Sequence, residues 1–145
     1  MFDIMVTGDF MEQLNRTELR KKIMTILYQI NVYEKHKMDY TIDEVMKEVL
    51  PIENEFVKDM VYGVMTYKND IDTIANKYLN SWTIDRLGNT DQAILRMSIY
   101  ELLYTDTPPI VVINEAVELA KQYSDDSVRK MINAALDKIY KENEK

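Results

Sequence analysis

The chain contains no cysteine, one histidine, three glycines and three prolines in 145 residues. Each shortage excludes something. Without cysteine there is no disulfide, no thiol nucleophile and no thiolate metal site. The one histidine, His36, lies in "EKHK", a setting that reads as solvated. Ser-His-Asp and Cys-His chemistry therefore have no plausible bearer. A helical di-metal carboxylate site pairs Glu with a His three residues later, but residue 33 is Tyr33. The glycines stand alone at positions 8, 63 and 88, so there is no glycine-rich phosphate loop. No catalytic residue, metal ligand or cofactor is expected. No apolar run approaches the roughly 18–20 residues of a membrane span. Asp3, Gly8 and Asp9 interrupt any secretory core, and no basic residue precedes it. A cytoplasmic protein is expected.

What is present is apolar periodicity. Apolar residues make up 46% of the chain and charged residues 30%, which suits a folded chain rather than a disordered one. Few glycines and prolines mean few turns and long elements. Leu19, Ile23, Ile26, Leu27 and Ile30 follow the spacing of one helix face. "TIDE" at 41–44 forms a capping box for a short helix that ends near Pro51. Phe56, Met60, Val64 and Tyr67 make the next stripe, and Asn69 is placed to cap a helix bearing Ile71, Ile74, Ala75 and Tyr78. "SWTIDRLGNTDQ" reads as a turn region, with Trp82 and Leu87 plugging the core. Gly88 suits a helix C-terminus at positive φ, with Asn89 or Thr90 capping the helix that follows. Ile94, Leu95, Ile99, Leu102 and Leu103 then predict deep burial. "TDTPP" stops that helix. The next places Ile113, Ala116, Val117 and Ala120 on one face. Ser124 or Asp125 caps the last helix, whose inward residues are Val128, Met131, Ile132, Ala135, Leu136 and Ile139. The expectation is an all-α fold of about seven helices. Residues 1–14 fit no later pattern and read as a mobile extension or an overcalled start, with Met5 and Met11 as alternative first residues.

The net charge is −7, which argues against a general polyanion binder. Charge nevertheless acts locally, because the Debye length is about 8 Å at physiological salt. "NRTELRKK" at 15–22 sets Arg16, Arg20, Lys21 and Lys22 against Glu18 alone. Arg16 and Arg20 are four apart and lie on one side of a helix. Paired guanidinium groups suit phosphate. Arg129 and Lys130, at the start of the last helix, form a second basic candidate. Glu115 and Glu118 are helical neighbours for which structural roles suffice. Glu115 sits near a helix start, where the macrodipole favours an anion, and Glu118 can pair with Lys121 or Gln122.

Four segments, "LRKKIMTILYQ" (19–29), "SWTIDRLGNTDQAILRMSIYELL" (81–103), "PPIVVINEAVELAKQYS" (108–124) and "VRKMINAALDKI" (128–139), together resemble the NusB family of transcription antitermination factors. The resemblance covers roughly residues 16–140. It implies two packed three-helix subdomains, about 15–68 and 69–142. It implies a protein that binds boxA RNA together with NusE, a ribosomal small-subunit protein. That complex would join RNA polymerase and suppress termination in ribosomal RNA operons. Arg16 and Arg20 match the family's arginine-rich first helix, while Thr17 and Glu18 depart from it, leaving Lys21 and Lys22 as substitutes. Tyr78, Asp91, Arg129 and Lys130 match positions near the family's RNA surface. Met131 stands where the family usually has an aromatic residue, and Ala134 where it has glycine. Arg96, Glu101, Glu115, Glu118 and Lys121 are the candidates for the NusE-facing surface. The alternatives are a helical protein-interaction module, or a homodimer that buries the RNA face. A NusB-like domain of an RNA methyltransferase would need a catalytic domain for which this chain has no room.

Overall fold

The computed structural model describes residues 15–143, and the reading of residues 1–14 lies outside that range. Seven α-helices and one 3-10 turn occur among the described residues, with no strand. Helix α1 (Arg16–Lys35) begins where the Asn15 side chain accepts the Glu18 amide at 2.9 Å. It ends at His36, and the next residue, Lys37, adopts φ 54°. Helix α2 (Ile42–Val49) shows the first half of the expected capping box, with Thr41 Oγ1 accepting the Glu44 amide. Helix α3 (Glu55–Thr66) is capped by Asn54.

Helix α4 (Lys68–Tyr78) follows almost without a break. Asn69 is not its cap. Tyr67 closes α3 and opens α4, its carbonyl accepts the Ile71 amide at 2.9 Å as the first helical bond, and no side chain caps this start. The 3-10 turn (Ile84–Arg86) leads to the central helix α5 (Asn89–Tyr104). Gly88 has φ −63°, not a positive value, because it opens α5 rather than closing a helix. Asn89 is the first residue of α5, and its side chain accepts hydrogen bonds from Asn31 and Lys35 of α1 instead of capping. Trp82 does not plug the core. It is 46% exposed, and Ile84 and Leu87 fill that position instead.

Every residue from Gln92 to Ile99 is buried. A helix enclosed on all sides needs neighbours all round, and α5 packs on α1, α3, α4, helix α6 (Pro109–Tyr123) and helix α7 (Asp126–Asn143). The short β-branched stretch "PIVVI" forms the first turns of α6, with Pro109 at the first helical position, where its missing N–H costs nothing. The buried stripe of α6 is Val112, Ala116, Leu119 and Ala120. Relative to the expected face it is rotated by about one residue, and Ile113 and Val117 are only half-buried. That rotation turns Glu115, which lies between Val112 and Leu119 on the same face, toward α1. Helix α7 is capped by Asp125, which accepts the Val128 amide at 2.9 Å. One continuous apolar cluster runs from Leu19 to Ile139.

Candidate nucleic-acid interface

The two arginines at the start of α1 separate. Arg16 is exposed, and its guanidinium carbon lies 3.8 Å from the centre of the Phe56 ring. Arg20 is only 4% exposed. Its Nε donates to Glu101 at 2.9 Å, a second nitrogen donates to the other oxygen of Glu101, and a third donates to Glu115 at 2.9 Å. Thr17 Oγ1 donates to the same Glu115 oxygen at 2.6 Å. Burial works to lower the Arg20 pKa, but hydrogen bonds and charge from Glu101, then Glu115, hold it above its usual value. The expected phosphate role of Arg20 is therefore corrected. Each of the three guanidinium nitrogens donates to one of two carboxylates, in a seam that buries the group.

The same seam corrects Glu101 as a partner contact, since it is 2% exposed. Arg96 is corrected likewise: it is 8% exposed and forms a two-point pair with Asp72 at 2.8 and 3.0 Å. Both side chains lie on the enclosed stretch of α5 and point into the protein, away from any partner. Glu115 is the half-buried third member of the Arg20 cluster. Glu118 and Lys121 remain exposed and pair with each other at 3.3 Å.

The other cations stay near solvent. Lys21 is partly exposed and lies 3.5 Å from Glu18. Lys22 is half-buried and Lys130 exposed. Arg129 is partly exposed. Its Nε faces Asp126 at 3.5 Å and has no hydrogen-bond partner. Tyr78 is half-buried with the Lys77 ammonium 5.3 Å from its ring centre. Asp91 accepts a hydrogen bond from Ser124.

The structure brings Asp91 and Met131 to one open pocket of about 300 Å³, together with Trp82, Arg86, Asp125 and Ser127. Trp82 and Arg86 were not singled out as binding residues by the sequence reading. Arg86 covers the Trp82 ring at 5.3 Å. The available signal was the four-residue spacing of an aromatic and a cation within "WTIDR", and the expectation of a core tryptophan masked it. An exposed indole backed by a guanidinium offers a stacking face, while Asp91 and Asp125 offer acceptors to amino groups. Such a mixture suits unpaired bases better than a duplex backbone.

Known proteins of the same shape confirm the fold and define its class. The solved structure of T. maritima NusB superposes with a TM-score of 0.76 at 30% identity, covering 89% of this chain and 92% of that one. A crystal structure of the antitermination factors NusB and NusE in complex with double-stranded RNA contains a chain that superposes with a TM-score of 0.74 at 29% identity, covering 88% of this chain and 96% of its counterpart. The class is that of all-α antitermination factors, which are not enzymes. A family model described as the NusB family matches residues 17–141. The transcription antitermination protein NusB of Staphylococcus aureus is 42% identical over 132 residues, 88% of this chain and 100% of that protein. The protein of the same name from Macrococcus caseolyticus is 38% identical over 130 residues, 88% of this chain and 98% of that protein. The chain belongs to the NusB family. Among the described residues no helix is long and apolar enough to cross a membrane.

Proposed function

We propose that this chain binds boxA RNA together with NusE, and that the complex joins RNA polymerase in the cytoplasm and suppresses termination in ribosomal RNA operons. The observation that carries this reading is the likeness, over 88% of the chain, to the protein found with NusE and RNA in a single crystal structure. The exposed cations agree with it. Arg16, Lys21 and Lys22 would hold phosphates at the start of α1, and Arg129 and Lys130 would do so at the start of α7. Asp91 and Tyr78 would face bases. Glu118, Lys121 and the outer edge of Glu115 would lie toward NusE.

No bond is made or broken in this mechanism. Phosphate contacts set the register and affinity, and base edges set the sequence. Because the chain is acidic overall, binding of RNA alone should be weak and binding with NusE tighter. Without Arg20, about three phosphate contacts remain at α1. With Arg129 and Lys130 at α7 the total is about five, and the slope of log K against log salt should be about −3.5 for a single strand. A gel shift with boxA RNA and with a scrambled RNA, each with and without NusE, tests the reading. Equal retardation of the two RNAs, or a slope near zero, would defeat it. Sizing by light scattering tests the homodimer alternative.

A further inference from the structure

One surface of the molecule has a character opposite to that of the basic helix starts. An open groove of about 460 Å³ lies between α3 and the α5–α6 connection, walled by Arg16, Glu55, Phe56, Asp59, Tyr100 and Asp106. Beyond Tyr100 the wall continues as a stack of tyrosines. Tyr100 and Tyr104 stack with ring centres 5.3 Å apart, and Tyr104 and Tyr67 with centres 4.5 Å apart. Tyr67 and Tyr104 are 41% and 39% exposed. Gly63 seats the stack, since a Cβ there would lie 2.0 Å from Tyr100 Cζ. Burial first, then Asp59, raises the Tyr100 hydroxyl pKa, and burial then Asp70 does the same for Tyr104. Asp59 and Tyr100 line the same groove.

Glu55, Asp59, Asp70 and Asp106 are all exposed. Among the described residues none of the four forms an ion pair, whereas the nearby Lys58 and Lys68 are paired with Glu53 and Glu34. Ring faces and unpaired carboxylates both attract a planar cation, and arginine meets the two demands together. The groove already shows the match in Arg16, whose guanidinium lies over Phe56.

We propose that this tyrosine-walled acidic groove docks an arginine-bearing segment of a partner protein. Inside the groove Glu55, Asp59 and Asp106 outnumber Arg16, so an RNA strand held by Arg16 at the start of α1 is kept from entering it. Residues 1–14 carry Asp3, Asp9 and Glu12 but no lysine or arginine, so the chain's own N-terminal segment lacks the charge the groove asks for. The proposal does not depend on the RNA reading, and loss of boxA binding would leave it standing.

The test is a titration of the full chain with the peptide acetyl-Arg-Gly-Arg-Gly-Arg-amide, following the ring protons of Tyr67, Tyr100 and Tyr104 by NMR. Saturable shifts centred on these rings are expected, weaker for the lysine version of the peptide. The Asp59→Asn, Asp106→Asn double variant should lower affinity by roughly fivefold or more. Both positions are exposed, and a thermal melt by circular dichroism confirms that the variant folds. Shifts spread evenly over the acidic surface, or unchanged affinity in the double variant, would overturn the proposal. So would a single-stranded RNA that saturates the same rings in place of the peptide. Self-association that the double variant abolishes would overturn it too, by making a second copy the occupant.

Discussion

Arg16 and Arg20 are one helical turn apart and belong to different regions of the molecule. Arg20 lies in the closed seam of α1, α5 and α6, held by Glu101 and Glu115. Arg16 lies at the open edge of α1 and α3, over the face of Phe56 and with no ion pair among the described residues. Four residues advance a helix by about 40° beyond a full turn and by about 6 Å. That offset is enough to put one guanidinium between helices and leave the other at the rim. Residue type and spacing are shared by the two sites, so neither decides function. Both guanidinium groups lie over the Phe56 ring, at 5.4 Å for Arg20 and 3.8 Å for Arg16; the two carboxylates in the seam that only Arg20 meets decide the difference.

The sharpest way to break this comparison is Arg20→Ala. It strands Glu101 and part of Glu115 in a seam with no cation, and removing one member of a buried pair costs about 3–5 kcal/mol. Urea denaturation should show that loss. Adding Glu101→Gln should restore part of it, because a neutral amide is less costly to leave inside. Among molecules that remain folded, boxA affinity should be unchanged. Were Arg20→Ala as stable as the parent but weaker for RNA, the two arginines would share a role and the contrast would fail.

The second test acts on the rim. Gly63→Ala places a methyl group 2.0 Å from Tyr100 Cζ, so the ring must leave its seat. Overpacking of this kind costs about 1–3 kcal/mol. With Tyr100→Leu already present, the same change should become favourable by up to about 1 kcal/mol, because alanine is a better helix former than glycine. Thermal unfolding of the four chains closes the cycle. A Gly63→Ala penalty that persists without the Tyr100 ring would mean that something else fills that space.

Smaller again is Arg16→Ala. Stability should change by less than about 1 kcal/mol, as for other exposed cation–π contacts. RNA affinity in the presence of NusE should fall by about 0.5–1.5 kcal/mol, up to about tenfold. The salt slope should become shallower by about 0.7. An unchanged slope would remove Arg16 from the phosphate contacts.

The helices were legible because their evidence is local. Apolar spacing located α1, α3, α4, α5 and α7, and short-range side-chain bonds marked the starts at Thr41 and Asp125. What could not be read was anything set by distant partners. The face of α6 is turned by Arg20, which is 95 residues away from Glu115 in sequence. Arg96 and Glu101 look like surface charges on a helix whose burial depends on five neighbours. Gly88 and Trp82 were misjudged for a related reason. Both flank a short 3-10 turn, which has too few residues to show a period, and the two core positions went to Ile84 and Leu87. The candidate site was legible as a region, through its basic clusters and its resemblance to a family. Which cation faces solvent depended on packing.

Asp125 provides the gentlest test, at a helix start that does not draw its neighbouring arginine inward. Its carboxylate accepts the Val128 amide and the Ser127 hydroxyl, at 2.9 and 2.8 Å. These bonds, led by the Val128 amide, lower its pKa below the ordinary carboxylate value. A folded-state pKa below the unfolded one contributes stability that is complete above the unfolded pKa and is lost as pH falls through the folded one. The contribution should therefore be present at neutral pH and fade below about pH 4. Asp125→Asn keeps a side-chain oxygen for the cap and should flatten this acid limb with little effect at pH 7. Asp125→Ala should remove the cap at every pH and loosen the turn that carries Arg129 and Lys130. If both variants lower boxA affinity equally at pH 7, the carboxylate itself takes part in recognition. If only Asp125→Ala does so, the order it gives to α7 is what the RNA requires.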